Sequence, residues 1–116
     1  ATMLAVLLHE GHHRRGVPVE RIAALVCANP ARQYGLASKG QIAIGRDADL
    51  VLVDPDLART VDPARLESFA DYSPWEGMEL QGWPVRTFVR GREVMRDGAI
   101  VAPEGEAPGG RFVRRL

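Results

Sequence analysis

His9-Glu10-Gly11-His12-His13 places two imidazoles four residues apart with a glutamate between them, the H-E-x-x-H spacing of zinc proteases. On a helix, residues four apart share a face, so both rings can reach one zinc ion while the glutamate activates its water. Gly16 extends the match toward the longer H-E-x-x-H-x-x-G-x-x-H pattern, but Val19 stands where the third histidine belongs. No histidine follows His13, and no carboxylate lies between Glu20 and Asp47 to replace it. The helical periodicity puts Met3 and Leu7 on one stripe and His9 and His13 away from it, so the histidines are expected to project from the packed face toward solvent. A zinc-protease site is therefore the alternative, and exposed histidines before a helix end are the simpler reading.

Other residues invite chemistry less strongly. Asp47 and Asp49 could be an acid–base pair or metal ligands, but with no histidine nearby they are expected to bond local backbone amides in a loop between strands. Trp75 and Trp83 could stack on a ring-shaped substrate; beside prolines and glycines they are expected to anchor a loop to the core or to a neighbouring subunit. Arg90, Arg92, Arg96 and the cluster of Arg111, Arg114 and Arg115 are expected on a solvated face. Cys27, the single cysteine, has the apolar flanks Leu25, Val26 and Ala28 and is expected to be buried.

The elements that position these residues fall into two groups. Residues 2 to 14 form a helix stopped by Gly16 and Pro18, and Val19 to Cys27 a second, broken at Asn29-Pro30. A short third helix starts at Pro30, capped by Asn29. Beyond Ser38 the pattern changes to strands at Gln41 to Gly45 and Leu50 to Asp54, then a meander of Val85 to Val89, Glu93 to Met95 and Ala99 to Val101. A long excursion, Val61 to Trp83, is expected to hold a short helix near Ala64 to Phe69. Residues 102 to 110 read as an extended tail.

Composition narrows the function classes. The chain has 116 residues, 46% of them hydrophobic, which is the scale of one modest core. Fifteen basic and 15 acidic side chains cancel, so no net field draws it to nucleic acid or an anionic membrane. With one cysteine, no internal disulfide forms, and a reducing cytoplasm is expected. The chain starts without methionine, inside an apolar helical pattern, as a cut piece of a longer protein would.

Asn29-Pro30-Ala31-Arg32, Gly45-Arg46-Asp47-Ala48-Asp49-Leu50, Ser73-Pro74-Trp75-Glu76-Gly77-Met78 and Gly82-Trp83-Pro84-Val85, in this order, resemble the C-terminal part of the cyclic amidohydrolases. That family includes dihydroorotase, allantoinase and the hydantoinase or dihydropyrimidinase enzymes. The resemblance implies an α/β parent fold, a metal-dependent (β/α)8 barrel plus a composite β-sandwich. Residues 1–37 would be the closing helices of the barrel, and 38–116 the C-terminal part of the sandwich and the tail. It implies one or two divalent ions, usually zinc, in the full-length enzyme, where a metal-bound hydroxide opens a cyclic amide or imide. The family's H-x-H pair, carboxylated lysine, two further histidines and aspartate lie upstream, so no residue of this chain is given a catalytic or metal-ligating role. Asn29 matches an asparagine that bonds the substrate ring in hydantoinase-like members. The implied partners are the upstream part of the same chain, a small cyclic amide and further copies in a homo-oligomer. The alternative is a non-catalytic assembly module of an amidohydrolase-like protein.

Overall fold

The computed structural model describes residues 2–101, 110 and 112–114. Two helical segments lead. The first begins as α1, Met3–Val6, and widens into a π-helical stretch, Leu7–His13. It ends where expected: the Val17 N–H turns back to the Gly11 carbonyl at 2.9 Å, and Pro18 follows. The second runs through α2, Val19–Ala23, a π-helical stretch, Ala24–Ala28, and α3, Asn29–Gln33.

The expected break at Asn29-Pro30 does not occur, and Asn29 is not a cap. It is itself helical, with φ −67° and ψ −48°. A proline within a helix lacks an N–H, and its ring crowds the carbonyl four residues back. The π turn just ahead of Pro30 pairs carbonyls with N–H groups five residues on, which carries the helix past the proline. Cys27 is exposed, not buried. This helix packs through Ile22 and Ala31, which leaves Leu25 and Cys27 outside.

Four antiparallel strands follow in the order β1, β2, β3, β4: Leu50–Thr60, Glu79–Val89, Arg92–Arg96 and Ala99–Ile100. The expected meander is present, with β1 added at its edge and β2 starting well before Val85. Its two hairpins turn on Arg90-Gly91 and Asp97-Gly98, both residues of each pair at positive φ, the geometry whose twist matches that of the flanking strands. The strand expected at Gln41 to Gly45 is absent. Ile42 is 91% exposed, and no strand lies beside this stretch among the described residues to take up its backbone groups.

The excursion between β1 and β2 is closed at its neck by Val61, whose N–H donates to the Met78 carbonyl at 2.9 Å and whose carbonyl accepts from Gly77 N–H at 3.0 Å. The expected helix there is only a 3-10 turn, Pro63–Arg65, capped by the Asp62 carboxylate, which accepts from Ala64 N–H at 3.0 Å. Leu66 meets the core but Phe69 is fully exposed, so the segment's apolar contact is too small to hold a longer helix. Val61, Ala5 and Leu80 form the core, with Val6, Leu66, Trp75 and Trp83 packed against it. Both tryptophans thus anchor the excursion, and the Trp83 indole N–H donates to the Leu80 carbonyl at 2.7 Å.

The described residues thus amount to a small sheet with helices packed on it, and a closed barrel is not among them. Apart from Gly110, the tail expected over 102 to 110 falls outside the described residues, as do Arg111 and Arg115. No helix among the described residues is long and apolar enough to cross a membrane.

Candidate functional site

The histidine cluster sits on the seam between the first helix and the sheet rather than in solvent. Leu8 is buried there, and its Cβ lies only 2.8 Å from where a Cβ on Gly82 would be, so β2 and the helix meet at a position that admits no side chain. This close approach brings His9 to β2, where its Nδ1 accepts from the Gln81 N–H at 3.1 Å. One turn on, His13 Nε2 donates to the Pro55 carbonyl of β1 at 2.8 Å. His12 Nδ1 donates to the Val17 carbonyl at 2.9 Å and holds the turn after the helix. The expectation of solvent-facing histidines is therefore corrected, most plainly for His9, whose side chain is 23% exposed.

The strands explain why such bonds are needed. β3 pairs with β2 only from Arg86 to Val89, so near Gln81 the sheet has β1 alone beside it. There β1 departs from regular pairing between Asp54 and Ala58. Two ring nitrogens four residues apart on the helix supply partners to Gln81 on one strand and Pro55 on the other, so each polar backbone group is matched. This use of the H-E-x-x-H spacing was hidden in the sequence, because the groups it serves lie 72 and 42 residues away. Glu10 is drawn off as well: its carboxylate accepts from Arg14 at 2.8 Å and Arg15 at 2.6 Å, and these guanidinium bonds hold its pKa below the ordinary value.

Lys39, Asp47 and Asp49 make a second polar cluster. The Lys39 ammonium bonds Asp49 and lies 2.9 Å from the Asp47 carboxylate, which also accepts from the Ser38 hydroxyl at 2.8 Å. Asp49 further accepts from the Arg90 N–H at 2.8 Å. Both aspartates thus reach Lys39, and Asp49 also reaches the backbone of a hairpin, beyond the local amides expected for them. Bonding to Asp49 first, then Asp47, raises the Lys39 pKa, and the Lys39 bond lowers that of Asp49. An ammonium held between two carboxylates suits a loop fastening, not proton transfer.

Asn29 lies on the second helix, half-buried, and its side-chain oxygen accepts from Arg32 at 3.3 Å. Beside it, Ala31, Arg32, Lys39 and Arg46 line a shallow pocket of about 310 Å³ that Asn29 itself does not enter. On the sheet side, Glu93 pairs with Arg96 and Arg86 at 2.5 and 3.3 Å, so Arg96 meets a compensating acid on the solvated face expected for it. Among the described residues, no group of three or more histidine, cysteine, aspartate or glutamate side chains could hold a metal ion.

The amidohydrolase family model matches residues 1–94. An allantoinase of Rubrobacter xylanophilus is 45% identical over 113 residues, covering 97% of this chain and 24% of its own length. An L-hydantoinase of Paenarthrobacter aurescens is 36% identical over 115 residues, covering 98% of this chain and 24% of its own. Among solved structures, the L-hydantoinase (dihydropyrimidinase) from Arthrobacter aurescens matches with a TM-score of 0.88 at 35% identity, over 97% of this chain and 24% of that one. The D-hydantoinase (dihydropyrimidinase) from Thermus sp. matches with a TM-score of 0.89 at 34% identity, over 98% and 24%. The chain thus spans about a quarter of the length of the curated relatives it matches. Amidohydrolases are generally metal-dependent, and the described residues do not offer the donor set for such a metal. With most of its length matched by the family model and both its helices and its sheet superposing on hydantoinases, this chain belongs to the amidohydrolase family.

Proposed function

We propose that this chain is the C-terminal segment of a metal-dependent hydrolase that opens cyclic amides or imides, with allantoinase- or dihydroorotase-like specificity. In this reading residues 1–37 are the closing helices of the barrel and 38–116 belong to the small sandwich domain. The zinc ligands and the proton-shuttling aspartate lie in sequence outside these residues, and the enzyme is a homo-oligomer. The observation that carries the reading is the joint match of helices and sheet to hydantoinases over 97% of the chain, alongside 45% identity to an allantoinase. Asn29 supplies a polar contact to the substrate ring, which its partial exposure permits.

The test is the protein at its full natural length, assayed for ring opening of allantoin, hydantoin and dihydroorotate before and after chelation. Hydrolysis of one of them, lost with the metal and restored by zinc, is the expected result. Asn29→Ala should then lower kcat/KM by about tenfold, the scale of one hydrogen bond to substrate, with Tm unchanged. A folded, oligomeric protein that opens none of the rings and retains no metal would instead identify a non-catalytic assembly module.

A further inference from the structure

The three histidines of the seam differ in what their bonds require. His12 and His13 each face a carbonyl oxygen, so the nitrogen concerned carries hydrogen and donates. His9 faces a backbone N–H, so its Nδ1 is bare and accepts. Protonating an imidazole keeps a donor a donor, but turns the His9 Nδ1 into an N–H aimed at another N–H.

We propose that His9 makes the contact between the first helix and β2 acid-sensitive: its protonation opens the Gln81 bond while His13 keeps the helix tied to β1. On the same helix, Glu10 lies 3.9 Å from the His9 Nε2 and is itself engaged by Arg14 and Arg15. That carboxylate favours hydrogen on Nε2, the tautomer that leaves Nδ1 free. His12 and His13 are the other titratable groups of this helix. Of the charged residues on the elements packed here, Glu79 and Arg86 of β2, Asp54 and Asp56 of β1, and Glu20 and Arg21 of α2 are exposed, and Arg59 of β1 is half-buried with its guanidinium beside Gly98. With no β3 beside Gln81, the lost acceptor is not replaced from that side of the sheet. Leu8 against Gly82 keeps the seam closed, so the opening is local.

Hydrogen exchange of the Gln81 amide, in the protein at its full natural length, tests this between about pH 8 and pH 5, the range in which histidines titrate. After correction for intrinsic exchange, protection of Gln81 should fall about tenfold on acidification, while the β3 amides hold theirs. In His9→Asn the side-chain oxygen accepts at every pH, and protection should stay flat. No acid loss in the native protein overturns the proposal, and so does an equal loss in His9→Asn. Should that variant not fold, the ¹⁵N shifts of the native His9 ring decide. A bare Nδ1 that gains its proton in step with the loss of Gln81 protection supports the proposal, and an Nδ1 already protonated at pH 8 overturns it.

Discussion

The helix–β2 seam and the loop from Ser38 to Asp49 both carry large aliphatic side chains, yet they are held in opposite ways. At the seam, Ala5, Leu8 and Leu80 are buried, and histidines complete the backbone bonding at its margin. In the loop, Ile42 and Ile44 stand almost wholly exposed, and the backbone is fastened by Lys39, Asp47, Asp49 and Ser38. Apolar composition therefore does not locate the core. A hydrophobic side chain stabilises only where a complementary surface meets it, and polar clamps can order a loop without one.

Four substitutions probe this contrast, each read as a change in unfolding free energy from urea denaturation of the full-length protein. Leu80→Ala should cost about 3 kcal/mol, because Leu80 has no exposed surface and the cavity left cannot refill. Gly82→Ala should cost about 2 kcal/mol: its φ of +96° is strained for alanine, and the new Cβ would press on Leu8. Lys39→Met should cost about 1 kcal/mol after allowance for solvent screening, since it leaves two aspartates facing each other. Ile44→Ser should fall within about 0.5 kcal/mol. A loss at Ile44 as large as that at Leu80 would show that sequence outside these residues covers the loop, and the contrast would belong to this stretch alone.

The clamp also has a pH signature. Asp49 keeps its charge in the folded protein to a lower pH than in the unfolded chain. Its contribution is therefore present above the ordinary carboxylate range and lost as pH falls through the lowered folded value. Urea midpoints measured between about pH 6 and pH 3 should drop more steeply in the native protein than in Asp49→Asn.

The strings at Asn29-Pro30-Ala31-Arg32 and Ser73 to Met78 were enough to indicate the family, and alternation with turn residues located β3, β4 and the part of β2 from Val85 onward, while the start of β2 at Glu79 reads as part of the excursion. Gly16 and Pro18 likewise marked the end of the first helix. These features are local: they depend on backbone preferences and neighbours within a few residues. What was not legible depended on distant partners. The Gln41 to Gly45 pattern fits a strand, but no strand is beside it among the described residues. Asn29-Pro30 reads as a helix break, yet a π turn carries the helix through.

The histidines show the division most clearly. Sequence alone determined that His9 and His13 share a helical face, because four residues make about one turn. Whether that face holds a metal, meets solvent or bonds a sheet was decided only by tertiary structure, which places the Gln81 N–H and the Pro55 carbonyl within reach of the two rings. Helical spacing is a property of the backbone, whereas the partner of a side chain is set by how distant segments pack.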